Sequence, residues 1–160
     1  MKTDEFQDLL LQSAVSIIGC DGDIDDSEIV EIDNLIDNEA YFLGFDKQDK
    51  LETLITELKS KGKSAINSYL EHLSTVQLSH RQKLNLLEVV VRATEADGVI
   101  HPNEIELLHL IIPKLSLNDE EIITNFPNQI SYLLNFQKHE LSKEFATEIT
   151  FNDKTDESKK

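Results

Sequence analysis

Apolar residues recur at intervals of three and four along most of the chain, the spacing of helices that bury one face. The first stretch carries Phe6, Leu9, Leu10 and Ile17 and predicts a helix over about residues 4–20. The same spacing predicts helices around residues 29–36, 51–58, 66–73, 79–96 and 105–112, a short helix after Asn118, and one over 128–137. No segment alternates apolar and polar residues between turn signals, as a strand does. The pattern therefore predicts an all-α fold of about seven or eight helices.

The length of the chain, 160 residues, suits one compact domain whose core needs no disulfide or metal. We assign residues 1–150 to this helical domain. Residues 151–160 are polar and charged, and we expect them to form a frayed tail.

A short motif occurs twice. Asp21-Gly22-Asp23-Ile24, followed by Glu28 and Ile29, recurs 76 residues later as Asp97-Gly98-Val99-Ile100, followed by Glu104 and Ile105. Each copy follows one predicted helix and opens the next. The repeat predicts two halves, about residues 4–74 and 79–137. We expect them to pack as one domain with approximate two-fold symmetry, because each half alone buries too little apolar surface.

Most of this motif can be explained as helix punctuation. A glycine after an apolar helix suits a left-handed C′ position, as predicted for Gly22 and Gly98. Asp25 and His101 take the N-cap position of the following helix, and Glu28 and Glu104 take N3, which makes a capping box. Pro102 at N1 favours the same helix start. Hydrophobic staples are predicted between Ile24 and Ile29 and between Ile100 and Ile105.

Capping leaves Asp21 and Asp97 unexplained. Each follows a helix, where a carboxylate meets the negative end of the helix dipole at a cost of up to about 1 kcal/mol. Two explanations remain open. The side chain accepts hydrogen bonds from backbone N–H groups in the turn, or a cation or basic side chain offsets the cost.

Carboxylates around both motifs are the ligands that hard cations prefer, so they define a candidate site for a weakly bound divalent cation such as calcium. Its residues are Asp21, Asp23, Asp25, Glu28, Glu95, Asp97 and Glu104. An EF-hand is excluded, because the loop positions that need oxygen ligands are occupied by Ile17 and Gly19 in the first copy. No other cofactor is indicated. The five histidines show no zinc spacing.

The formal net charge is −16. Nucleic-acid binding starts from a basic surface and is therefore excluded, and an anionic membrane surface would repel the protein. The expected partners are cations or basic proteins.

No apolar run reaches the roughly 20 residues of a membrane span. A single cysteine, Cys20, fits a reducing compartment such as the cytoplasm, and we predict that it is a core residue. No catalytic motif is present, and the oligomeric state stays open.

The repeated pattern, Asp-Gly-x-Ile with a glutamate four residues after the isoleucine, resembles the tellurite-resistance TerB family. The second copy, which runs from Glu95 through Asp97-Gly98 to Glu104, is the closer match, and the likeness covers about residues 9–125. The resemblance implies an all-helical fold with internal symmetry, acidic surfaces and an association with tellurite and other stress responses. It also implies possible metal binding at the acidic positions and no defining enzymatic activity. The first copy departs from it, because Gly19-Cys20 stands where the second has Glu95-Ala96.

Two functions follow as hypotheses. The first is a non-enzymatic acidic binding module of stress resistance that acts through its two Asp-Gly corners. The second is a helical scaffold that holds a small apolar or aromatic ligand in a pocket between helices.

Overall fold

A computed structural model describes residues 1–134 of the chain, and it confirms the all-α prediction for them. The elements are α1 Thr3–Ile18, α2 Asp26–Asn38, a 3₁₀ helix Ala40–Phe42, α3 Lys50–Lys61, α4 Lys63–Thr75, α5 His80–Thr94, α6 Pro102–Leu115, α7 Asp119–Asn125 and α8 Ile130–Leu133. No strand occurs within this part of the chain. None of its helices combines the length and the apolar character needed to cross a membrane.

The first helix lies at the centre of the fold. Eleven of its sixteen residues are buried, including Leu10 and Ile17, which have no exposed surface. It packs mainly against α5, and α2, α3, α4 and α6 also contact it. A helix buried on most sides must satisfy its own polar side chains. Gln7 does so by donating to the carbonyl oxygens of Tyr41 and Leu43, at 3.2 and 2.9 Å.

Two of the later helices, α5 and α7, begin where side chains cap their first turn. Ser79 and Asn118 accept hydrogen bonds from the backbone N–H three residues later, at 3.1 and 2.8 Å. The side chains of Gln82 and Glu121 accept in return from the N–H of the capping residue. These reciprocal bonds satisfy N–H groups that a helix leaves without partners. They explain why α5 and α7 start at the residues after these caps.

Three details differ from the sequence predictions. The first helix ends at Ile18, not near residue 20, because Gly19 is its C-cap and the chain then turns. The 3₁₀ helix at Ala40–Phe42 has no counterpart in the predictions, since three residues are too few for a periodic signal. The helix predicted over 128–137 is seen at Ile130–Leu133, and its last predicted residues lie outside the described part. The predicted tail at 151–160 lies outside it too.

The division into two halves related by two-fold symmetry stays a prediction. The described helices of both predicted halves nevertheless contribute to a single hydrophobic core. Its largest fully buried side chains include Tyr69 and Phe42 from the first half and Leu86 and Leu87 from the second.

A buried hydrogen-bond chain joins α4 to α1 and provides a test of this packing. The Tyr69 hydroxyl donates to Ser13 Oγ at 2.6 Å, and Ser13 Oγ donates to the Leu9 carbonyl oxygen at 2.8 Å. We expect Ser13→Ala to lower the free energy of unfolding by about 1–3 kcal/mol, because it leaves the buried Tyr69 hydroxyl without this acceptor. Tyr69→Phe should cost less, since Ser13 keeps its bond to Leu9. Urea unfolding measures both, and an equal or smaller loss for Ser13→Ala would contradict this account.

Candidate functional site

The two Asp-Gly corners have the same local backbone conformation. Gly22 and Gly98 have φ angles of 84° and 80°, a region that residues with a Cβ rarely adopt. Their N–H groups donate to the carbonyl oxygens of Gly19 and Glu95, at 3.0 and 3.1 Å. The prediction that Gly22 and Gly98 are the C′ residues of the preceding helices is therefore wrong. Because the preceding helices end earlier, these glycines lie in the turn that follows the helix end.

Asp21 and Asp97 stabilise these turns directly. The Oδ1 atom of Asp21 accepts from the Asp23 N–H, and that of Asp97 accepts from the Val99 N–H, both at 3.0 Å. This is the first of the two explanations that the sequence left open. The turn bond helps to offset the unfavourable position of each carboxylate at a helix end.

The second corner adds an ion pair. Nε2 of His101 lies 3.0 Å from Oδ2 of Asp97. This hydrogen bond raises the pKa of His101 above its ordinary value. Partial burial raises the pKa of Asp97, but the hydrogen bonds from His101 and the Val99 N–H outweigh it and lower that pKa overall. The N-cap position predicted for His101 is confirmed, whereas the sequence gives no sign of its contact with Asp97.

Glu28 and Glu104 are buried N3 residues, as the capping interpretation requires. Glu28 Oε1 accepts from the Asp25 N–H at 2.8 Å, and Glu104 Oε1 accepts from the His101 N–H at 3.1 Å. Their exposed fractions are 3% and 2%. Desolvation by this burial raises the pKa of Glu28 to about 7 and that of Glu104 to about 8. Both carboxyl groups therefore titrate near neutral pH.

The fold brings the two corners together, and we call the segments 21–28 and 97–104 the paired corners. The charge of Asp97 in the second corner raises the pKa of Glu28 in the first, and the charge of Glu28 raises that of Glu104. Asp21 likewise contributes to the raised pKa of His101. Such mutual effects require short separations, so carboxylates 76 residues apart in sequence form one acidic centre.

Cys20 lies beneath the paired corners and has no exposed surface. Burial raises the pKa of its thiol well above the ordinary value, and the charges of Glu104, Asp21 and Glu28 raise it further. The prediction that Cys20 is a core residue is confirmed. A thiol held protonated in this way is a poor nucleophile.

The remaining predicted ligands are placed differently. Glu95 Oε2 accepts from the Tyr132 hydroxyl at 2.7 Å and from Gln129 Nε2 at 3.3 Å, so it links the end of α5 to the α8 region. Asp23 and Asp25 are exposed on the first corner. The second corner also exposes apolar surface, because Val99 and Ile100 are 56% and 40% exposed. The Ile100 side chain is therefore less covered than the predicted staple implies, whereas Ile24 packs against the core.

Within residues 1–134, no group of three or more His, Cys, Asp or Glu side chains is arranged to hold a metal ion. One oxygen each of Asp21, Glu28, Asp97 and Glu104 already accepts a backbone hydrogen bond. The paired corners thus present concentrated negative charge without a formed coordination sphere. Cation binding at Asp21, Asp23, Asp25, Glu28, Glu95, Asp97 and Glu104 stays a prediction.

The raised pKa values of Glu28 and Glu104 give the protein a defined pH dependence. A carboxyl group whose folded pKa exceeds its unfolded value of about 4.5 stabilises the fold below pH 4.5. This contribution is lost as the pH rises through about 7 for Glu28 and about 8 for Glu104. We expect Glu104→Gln, which keeps the acceptor without the charge, to raise the free energy of unfolding at pH 9 by about 2–4 kcal/mol and to change it little at pH 4.5.

Urea unfolding at the two pH values tests this expectation. Glu120→Gln is the matched control, because it removes one negative charge from an exposed position in the first turn of α7. If both variants gain the same free energy of unfolding at pH 9, the effect comes from the change in net charge and not from the burial of Glu104. Glu104→Ala removes the cap as well and should cost about 0.5–2 kcal/mol at pH 4.5.

Comparison with known proteins agrees with the all-helical fold. No curated protein and no solved structure gives a significant match to this chain. A family model described as tellurite resistance protein TerB matches residues 8–125, which include most of α1, all of α2 to α7 and both Asp-Gly corners. The chain belongs to the TerB family of tellurite resistance proteins.

Proposed function

We propose that this TerB-family chain is a non-enzymatic binding module of tellurite and stress resistance, and that its paired corners bind a basic group of a partner protein. The observation that supports this most is the convergence of Asp21, Glu28, Asp97 and Glu104 on one region. A partner cation reaching that region would interact with several carboxylates at once.

In the described structure, little basic charge lies beside Asp21, Asp25 and Asp97. No lysine or arginine of residues 1–134 is paired with Asp21, Asp25 or Asp97, and His101 is the basic group seen beside Asp97. Some carboxylates elsewhere are paired with arginine or lysine. Arg92, for example, binds Glu31 at 3.0 Å and Glu39 at 2.7 Å. With a net charge of −16, the surface around the paired corners should attract basic partners over a distance of about one Debye length.

A basic side chain suits the paired corners better than a bound metal ion. Calcium takes six to eight oxygen ligands at about 2.3–2.6 Å. One oxygen of each of the carboxylates Asp21, Glu28, Asp97 and Glu104 already accepts a hydrogen bond from a backbone N–H group. A lysine or arginine requires fewer contacts and brings its own hydrogen-bond donors. We propose the divalent cation as a second, weakly held occupant of the same region.

We also propose that the protein has no enzymatic activity. Glu28 and Glu104 have the perturbed pKa values often found in catalytic groups, but their burial and their capping bonds account for those values. We place the protein in the cytoplasm because its single cysteine is a free thiol, the form that a reducing compartment maintains.

A titration with oligolysine tests the proposed binding of a basic partner. We expect an Asp21→Asn, Asp97→Asn double variant to bind the peptide about two- to thirtyfold less tightly than the wild type, because surface ion pairs contribute about 0.2–1 kcal/mol each. Asparagine still accepts the turn hydrogen bonds, so the fold should be retained. Calorimetry at low salt gives the affinities.

The matched control for this titration is Asp4→Asn, Glu5→Gln. It removes the same charge from the first turn of α1, more than about 15 Å from Asp21 at a rise of about 1.5 Å per residue. An equal loss in both double variants would show that only the net charge matters, and the paired corners would then not be the binding region.

Thermal melts test the second occupant. We expect millimolar calcium to leave the melting temperature close to its value in chelator, because too few oxygens are available for tight binding. A clear rise in the wild type that is lost in Asp21→Asn would instead establish a cation site at the first corner, since a ligand stabilises the state that binds it. Asp97→Asn tests the second corner in the same way.

A second candidate function rests on a different region. An open groove of about 410 Å³ runs along α1 and the start of α3, and its lining includes Leu11, Leu54, Gln12 and Thr53. A smaller groove of about 220 Å³ shares Gln12 and Leu54 with it and continues towards α4. Their sizes and their position between helices suit a small apolar or aromatic ligand.

A further inference from the structure

The third helix buries few of its side chains. Within the described structure α3 buries one side chain, Leu58, although the helix has twelve residues, and Leu51, Leu54 and Ile55 pack against the core partly buried. The next helix, α4, is of similar length and buries Ile66, Tyr69, Leu70 and Leu73. Elements with few buried apolar contacts open at lower free energy than the global unfolding of the protein. We therefore expect α3 to open more readily than its neighbours.

The most deeply buried side chain of α3 makes a close contact with the end of α1. A Cβ atom built on Gly19 would lie 2.1 Å from Leu58 Cδ2, so the Leu58 side chain occupies the space that any other residue at this position would fill. The φ angle of Gly19 is −102°, so glycine is required here for space and not for backbone conformation. Near the other end of α3, Lys50 Nζ binds Asp8 Oδ1 at 3.0 Å, but this ion pair is about half exposed and adds little.

The residues that flank α3 at both ends have positive φ angles. Asp49, its N-cap, has a φ angle of 66°, and Gly62, which separates α3 from α4, has a φ angle of 58°. A positive φ is uncommon for a residue other than glycine. A few residues at the ends of an element commonly absorb the changes in φ and ψ when that element moves relative to the rest of the fold.

The surface beneath α3 has the character of a site for uncharged molecules. The lining of the two adjoining grooves includes the apolar side chains of Leu11, Val15, Leu54, Leu58 and Ala65. Charged groups at the rims neutralise one another: Lys50 pairs with Asp8, and Lys61 pairs with Glu57 at 3.2 Å. Asp49 also lines the larger groove and disfavours an anion.

We propose that α3 is a flap that opens by local unfolding between Asp49 and Gly62, and that its opening admits a small uncharged apolar or aromatic molecule to the surface between α1, α3 and α4. This inference rests on the second candidate function, the interhelical ligand site, and it is independent of the paired corners. Leu58 seated on Gly19 is the latch that keeps the flap closed.

Amide hydrogen exchange measured by NMR tests the flap. The slowest amides of α3 should exchange roughly a hundredfold faster than the slowest amides of α1 and α5, because they open without global unfolding. Gly19→Ala should displace Leu58 and accelerate exchange in α3 by about a further tenfold while leaving α5 unchanged. Equal exchange in all three helices of the wild type overturns the proposal, as does equal acceleration of α3 and α5 in the variant.

Two further variants isolate the latch. Leu58→Ala should accelerate α3 exchange as Gly19→Ala does, and adding Gly19→Ala to it should have no further effect, because the side chain that clashes is gone. Thr56→Ala changes an exposed residue of α3 and serves as the control that should not accelerate exchange. Additive effects of Gly19→Ala and Leu58→Ala would show that the two residues act separately and would overturn the latch.

The uncharged fluorescent probe N-phenyl-1-naphthylamine tests the ligand site. Its fluorescence should rise on binding, it should slow α3 exchange, and Leu54→Asn should weaken it. Binding without separate opening of α3 overturns the flap and leaves the interhelical site standing. Separate opening without probe binding overturns the ligand site and with it this inference. Oligolysine binding at the paired corners is unaffected by either result.

Discussion

The burial of α1 on most of its surface is the constraint on which the rest of the structure depends. A helix that hides eleven of sixteen residues needs neighbours on several sides, and α2 to α6 all pack against it. Its polar side chains must then find partners inside the fold, as Gln7 and Ser13 do. Its end is equally constrained. Gly19 gives α1 a surface without a Cβ on which Leu58 of α3 can rest, and Cys20 continues into the core.

That burial also determines where the acidic corners lie. Because α1 packs along α5, the turns that follow the two helices come close to each other, with Cys20 beneath them. Glu28 and Glu104 cap the next two helices from inside this junction, so each carboxyl group is both desolvated and near the other's charge. Burying two carboxyl groups close together is unfavourable. The hydrogen bond that each accepts from an N–H group at a helix start compensates part of this cost.

How much of the structure the sequence predicts depends on the range of each interaction. Helix periodicity and the capping roles of Glu28 and Glu104 involve residues within four positions of one another, so they can be predicted from the sequence alone. The end of α1 at Ile18 escapes prediction, since the turn bonds that follow it compete with one more helical turn. Glu95 has the local pattern of a cation ligand, but Tyr132 binds it from 37 residues away, and no local signal indicates that bond. The contact of Leu58 with Gly19 cannot be predicted from the sequence either, because a glycine before a turn is expected on conformational grounds alone.

The same carboxyl groups cannot serve fully as neutral caps and as a charged binding surface. At neutral pH Glu28 and Glu104 are close to their pKa values of about 7 and 8, so each is partly protonated. A basic group or cation near the paired corners favours the ionised forms and lowers both pKa values. Binding there is therefore coupled to the release of protons, and the affinity for a cation must increase as the pH rises through this range. Asp21 and Asp97 differ, because their turn bonds use one oxygen without requiring protonation. Asp97, whose pKa is lowered by its contact with His101, keeps its charge at the paired corners, while the buried Glu28 and Glu104 adjust theirs to what is bound.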